Sequence, residues 1–126
     1  GKEVWVANRE TDTISVIETK SDRVSASFES GGKMPIRVKF TPDGTQAWVS
    51  TARSNAVTVF DAAKRSKVAT IPVGSMPVGI EISPDGRHAF VANTTDNKVT
   101  VIEVKARKAI RSFTTGNEPD GMAWAP

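Results

Sequence analysis

The chain has no cysteine and no tyrosine, and only one histidine, His88, in its 126 residues. The missing thiols exclude a disulfide framework and thiolate metal sites, although they do not fix a compartment. No apolar run approaches the length of a membrane-spanning helix, and Gly1-Lys2-Glu3 does not read as a secretory signal. No stretch sustains a 3.6-residue apolar stripe, so helices should be nearly absent. A surplus of one charge is lacking too: 17 basic against 14 acidic residues give +3, and the basic residues are scattered. Lys64 and Arg65 form the densest pair, at an expected turn. Nucleic acid recognition would need a basic stripe with interleaved aromatics, and neither is present. A lone histidine without matched carboxylates is poor ground for a metal or a general base. There is also no nucleophile elbow and no glycine-rich phosphate loop. These absences predict no catalytic residue, no metal ligand and no cofactor.

What is present is a repeat. Gly32-Lys33-Met34-Pro35-Ile36 recurs as Gly74-Ser75-Met76-Pro77-Val78 and as Gly116-Asn117-Glu118-Pro119-Asp120, with the prolines 42 residues apart each time. A repeat of this length, filled with short alternating segments, predicts β-propeller blades. In the middle copy four strand signals follow one another: Val78-Gly79-Ile80-Glu81-Ile82, Ala89-Phe90-Val91-Ala92, Lys98-Val99-Thr100-Val101-Ile102 and Ala109-Ile110-Arg111-Ser112-Phe113. Thr41-Pro42-Asp43-Gly44 and Ser83-Pro84-Asp85-Gly86 read as tight hairpin turns between first and second strands. They lack the spaced oxygen ligands of a calcium loop. The fold class is therefore all-β, a propeller of three four-stranded blades of 42–43 residues. The repeats run over about 1–43, 44–85 and 86–126.

Trp5-Val6-Ala7-Asn8, Trp48-Val49-Ser50-Thr51 and Phe90-Val91-Ala92-Asn93 resemble the aromatic-Val-small-Asn signature of the YVTN family of β-propeller repeats. The resemblance covers essentially the whole chain. It departs at Thr51, which replaces the asparagine, and in using tryptophan or phenylalanine for the tyrosine. It implies a surface-layer or periplasmic type of protein, hence an extracellular or periplasmic origin. Trp5, Trp48 and Phe90 are expected to pack between blades. Asn8 and Asn93 are expected to cap the second strand or bond to the adjoining loop backbone.

The register of the repeats bears on assembly. Trp48 to Phe90 is 42 residues but Trp5 to Trp48 is 43, so the first copy carries an extra residue, placed near Ser30-Gly31. Gly1 aligns with Gly44 and Pro126 with Pro84. The chain thus opens with strands two to four of one blade and ends with strand one, Gly121-Met122-Ala123-Trp124, of another. Three blades cannot close a ring within one chain. The expectation is a head-to-tail homo-oligomer whose inter-chain clasp joins Val4, Trp5 and Val6 to Met122, Ala123 and Trp124. A dimer would give the commoner six-blade ring, and a trimer nine blades. An excised or engineered fragment of a longer propeller is compatible with the same cut.

Up-and-down connectivity puts the loops that feed strand one on the same face as the loops between strands two and three. That channel-mouth face would carry Arg9, Glu10, Asp12, Lys33, Met34, Arg37, Arg53, Asn55, Met76, Asp96, Asn97, Glu118 and Asp120, a mixed-charge rim for a protein or small-ligand partner. His88 aligns with Gln46 on the opposite face. The function expected is a non-catalytic scaffold or binding module that self-assembles, without nucleic acid or membrane insertion. The alternatives are a part of a periplasmic propeller enzyme, lactonase-like or associated with a cofactor enzyme, and a surface-layer structural protein.

Overall fold

The computed structural model describes all 126 residues. Eleven strands follow in chain order: β1 (Glu3–Asn8), β2 (Thr13–Glu18), β3 (Arg23–Glu29), β4 (Pro35–Phe40), β5 (Gln46–Thr51), β6 (Ala56–Asp61), β7 (Ser66–Pro72), β8 (Pro77–Ile82), β9 (His88–Asn93), β10 (Lys98–Glu103) and β11 (Lys108–Thr114). The only helical turn is 3₁₀, Ala52–Ser54. Every pairing is antiparallel between neighbours in sequence. The result is a three-stranded sheet β1-β2-β3 and two four-stranded sheets, β4-β5-β6-β7 and β8-β9-β10-β11. A register shift recurs at the same repeat position in each sheet, beside Ile17, Phe60 and Ile102. Such bulges add local twist, which stacked sheets need.

The hairpin turns form as the sequence predicts. Gly44 and Gly86 take positive φ, and their amides bond back to Thr41 and Ser83 at 2.8 Å. Asp43 and Asp85 accept from the hydroxyls of Thr41 and Ser83 and from the amides of Thr45 and Arg87. These hydroxyl bonds lead the causes that hold both carboxyls below the ordinary aspartate range.

Apolar positions of neighbouring sheets meet in two seams. The first joins Trp5, Ile14 and Val16 to Ala47, Val49 and Phe60. Trp5 meets Phe28 and Phe40 edge-on, with ring centroids 5.2 Å apart in both pairs. The second gathers Val57, Val59, Ile80, Ile82, Ala89, Val91 and Ile102 around Trp48, which is fully buried.

The strand expected over 121–124 does not form a ladder in the single chain. The segment is nevertheless docked as an inner strand would be. Trp124 Nε1 donates to the Ile82 carbonyl at 2.7 Å and its ring meets Phe90 at 5.5 Å, just as Phe40 meets Trp5. A Cβ on Gly79 would run into the Asp120 carbonyl, so the close approach of this segment requires glycine there. An inner strand takes its ladder bonds from the second strand of its own sheet, and the 121–124 segment lies in none of the three sheets.

Candidate functional site

The mouth face is built from two loop types that lock together. In each repeat the loop after the second strand places an Asp or Asn in the left-handed region: Asp12, Asn55 and Asn97, with φ of 58°, 51° and 55°. Each side-chain Oδ1 accepts the amide of a second left-handed residue in the following loop. Met34 donates to Asp12 at 2.7 Å, Met76 to Asn55 at 3.1 Å and Glu118 to Asn97 at 2.8 Å. The backbone carbonyls of the same three residues accept from Ser30, Val73 and Thr115. Asx side chains tolerate this backbone and bond locally, which explains their recurrence at the position.

Around the first latch the loops enclose a pocket of about 240 Å³ lined by Arg9, Glu10, Asp12, Lys33, Met34 and Arg53. Asp12 is already engaged, by the Met34 amide and by Lys33 Nζ at 3.3 Å. The amide bond first, then Lys33 and Arg53, keep its carboxyl ionised below the usual aspartate range. Arg9 and Arg53 have no carboxylate within ion-pair distance, so the pocket offers free cations to an anionic group.

The remaining mouth residues fall elsewhere. Arg37 pairs with Asp120 across 3.4 Å, while Lys39 pairs with Glu81 between neighbouring inner strands. Asn55 and Met76 are joined by the second latch. Asp96 accepts the Ser75 amide at 2.6 Å, and Glu118 is exposed beside Asn97. Of the clasp residues, Val4, Val6 and Trp124 are exposed, Trp5 is buried, Met122 is half-buried and Ala123 is exposed. Asn8 and Asn93 do not bond to loop backbone as expected. They reach across the ladder to side-chain hydroxyls, Asn8 to Thr13 and Ser15, Asn93 to Thr100. Thr13 lies directly opposite Asn8, whereas Ser15 and Thr100 lie diagonally across the ladder, opposite Val6 and Val91.

The family model of the Cytochrome D1 heme domain matches residues 2–123. The chain belongs to that family. No curated protein sequence matches it. Among solved structures it is similar to hydrazine synthase of Kuenenia stuttgartiensis, at 28% identity and a TM-score of 0.90, over 96% of this chain and 35% of that one. A 6-phosphogluconolactonase-like protein of Bacteroides fragilis matches at 18% identity and 0.84, over 96% and 38%. Dihydro-heme d1 dehydrogenase NirN in complex with DHE matches at 19% and 0.75, over 88% and 24%. The last two likenesses carry the fold alone. The chain spans about a third of the length of the hydrazine synthase chain.

These findings make the chain an all-β propeller segment of the Cytochrome D1 heme domain family. They also overturn the expectation of a non-catalytic module, because the family and hydrazine synthase belong to enzymes. The signal was out of reach of the residues. A conserved scaffold can carry a site whose ligands lie on only some of its repeats.

The family name implies a haem, and the residues present can be tested against one. The sole imidazole, His88, begins β9 at the end opposite the mouth. No group of three His, Cys, Asp or Glu side chains converges anywhere in the chain. At the mouth stand guanidinium, ammonium, carboxylate and thioether groups. This set does not fit an iron centre.

Proposed function

We propose that this chain forms a wall section of the propeller of a cofactor-dependent enzyme, and that its mouth pocket binds anionic groups of a ligand. The observation that carries this reading is that Arg9 and Arg53 line a pocket in which Asp12 is engaged by the loop latch and by Lys33, so that three cations stand against Asp12 and Glu10. Arg9 and Arg53 would hold and orient a carboxylate by paired N–H donors. Iron ligands, where the whole protein uses them, would come from other parts of its ring. The test is a titration with iron(III) uroporphyrin, a polycarboxylate macrocycle, followed by tryptophan fluorescence and visible absorption. Binding should fall with salt and weaken at least about tenfold in Arg9→Ala/Arg53→Ala. His88→Ala should leave the spectrum unchanged. A spectrum that depends on His88, or indifference to both arginines, would contradict the proposal.

A second reading concerns the 126-residue chain in isolation: assembly with further copies through strand complementation. Its support is the register. Val38 pairs Val49, Lys39 pairs Trp48 and Phe40 pairs Ala47. Two repeats on, the same pairing would set Met122 against Val6, Ala123 against Trp5 and Trp124 against Val4. The Asn117 amide would then meet Thr11, as Lys33 and Ser75 meet Ser54 and Asp96. Two copies would make six blades and three would make nine.

A further inference from the structure

Both seams set the start of one sheet's second strand against the outer turn of the sheet that follows. In the first, Arg65 Nη2 reaches from the turn after β6 to Glu3 Oε1 at 2.6 Å, and Glu3 also accepts the Trp5 indole N–H. The indole foremost, then Arg65, hold the Glu3 carboxyl below its ordinary range. In the second, Gln46 stands where Glu3 does and accepts the Trp48 indole N–H at 3.0 Å. Lys105 and Arg107, from the turn after β10, line one pocket of about 350 Å³ with Gln46 and Asp43. Arg65 and Arg107 hold one repeat position, and both take left-handed backbone, with φ of 54° and 53°.

On the two faces that no sheet covers, these positions carry the reverse charges. The strand-start residue of the third sheet is His88, on the same face as Phe90, Val101 and the exposed Phe113. That face is turned away from the second seam, whose core takes Ala89, Val91 and Ile102 instead. A hollow of about 400 Å³ lies at its end, lined by Gly86, Arg87, His88, Glu103, Val104 and Lys105. On the first sheet the turn residue is Asp22, exposed, with φ of 56°. Its amide bonds back to Glu18 as that of Arg65 does to Asp61. Neither His88 nor Asp22 has an ion-pair partner within the chain.

We propose that the open face of the third sheet takes the open face of the first sheet of a second copy, with His88 of one copy paired to Asp22 of the other. The pair rests on the strand-complementation reading and adds the contact that selects the partner and ties its hold to pH. It is the Glu3–Arg65 pair with its polarity reversed. On its own sheet His88 is faced by Glu103, directly opposite across the ladder, and by Asp85, Arg87 and Lys105. The incoming turn brings Glu18, Lys20 and Arg23 with Asp22. Lys20 holds the position of Lys105, which lies toward Asp43, so it comes toward Asp85. A charged imidazole is then the cation that answers Asp22, and a neutral one leaves Asp22 beside Asp85 and Glu103. Histidine changes charge between about pH 5 and 8. Assembly therefore takes up a proton and tightens as pH falls through that range.

The experiment is sedimentation velocity of the full chain over a dilution series, at about pH 5.5 and about pH 8. Each junction should hold about two- to fivefold more tightly at the lower pH. His88→Glu, which sets two carboxylates against each other, should weaken assembly about fivefold or more at the lower pH, as should Asp22→Arg against the charged imidazole. His88→Glu/Asp22→Arg writes the Glu3–Arg65 pair into the junction. It should restore assembly and remove the pH dependence. His88→Gln, the second sheet's own residue at this position, should remove the pH dependence without a change of charge in the turn. Assembly indifferent to pH and to both single changes would overturn the His88–Asp22 contact and leave strand complementation standing. A double variant no tighter than the single ones would overturn it too. A chain that stays monomeric at every pH and concentration would overturn both.

Discussion

The first and second sheets present two apolar repeat positions, Val4 and Val6 against Ala47 and Val49, in opposite states. On β5, Ala47, Trp48 and Val49 are all fully buried, and Ser50 and Thr51 with them. On β1, the corresponding Val4 and Val6 are 49% and 37% exposed, and only Trp5 is covered. The residues are no less apolar on β1, so composition does not explain the contrast. The difference is a neighbouring sheet. Ala47 and Val49 face the first sheet across the first seam, whereas Val4 and Val6 lie on the face of the first sheet turned away from that seam, which no sheet covers. The inner edge differs as well: β4 pairs along that of β5 and nothing pairs along that of β1, and such edges invite pairing.

The largest effect that would sharpen this contrast lies in the aromatic pair. Trp48→Ala should cost about 3–5 kcal/mol in urea unfolding, since it empties a fully buried site at the centre of the second seam. Trp5→Ala should cost clearly less, because neighbouring Phe28, Phe40 and Phe60 can close over a site already at the edge of its sheet. Equal losses would mean that β1 is as well covered as β5. The loop latch comes next. Asn55→Ala should cost about 1–3 kcal/mol through the left-handed backbone and the lost Met76 amide bond. Asn55→Gly should recover the backbone share and leave the hydrogen-bond share, read from the same urea curves.

Smaller still is the effect of pH on the turns that join first to second strands. The Asp43 and Asp85 carboxyls sit below their ordinary range, so their contribution is full above the unfolded value near ~3.9 and is lost as pH falls through the lower folded values. The urea midpoint should therefore drop on acidification below about pH 4, and Asp43→Asn/Asp85→Asn should flatten that drop. An unchanged slope would show that the turns are held by backbone geometry alone.

Much of this was legible in the sequence because it is periodic. Strand positions, the Pro-Asp-Gly turns and the extra residue near Gly31 all follow from spacing, and they form where spacing puts them. The sheet-to-sheet contacts were harder, because they join residues about half a repeat apart. The Asx latch is such a case: Asp12, Asn55 and Asn97 recur at one repeat position, a signal that was present but points to nothing until the following loop lies against it. The pocket of about 480 Å³ between the loop 72–74 and the third sheet was invisible for another reason. Where the preceding copy has Gly31 against the Lys67 stem, this one has no residue and Ala109, and an unfilled space leaves no residue to notice. The catalytic character of the family was beyond reach, since no residue of this chain supplies an iron ligand set.

The mass of the 126-residue chain in solution, by multi-angle light scattering, tests most directly whether the bare edge of β1 is met by the 119–124 segment of another copy. With strand complementation, the mass will be near two or three times 13.5 kDa, and Ala123→Pro, which removes a ladder donor, will lower it. A chain that stays folded at 13.5 kDa with Val4 and Val6 open to water would contradict that assembly.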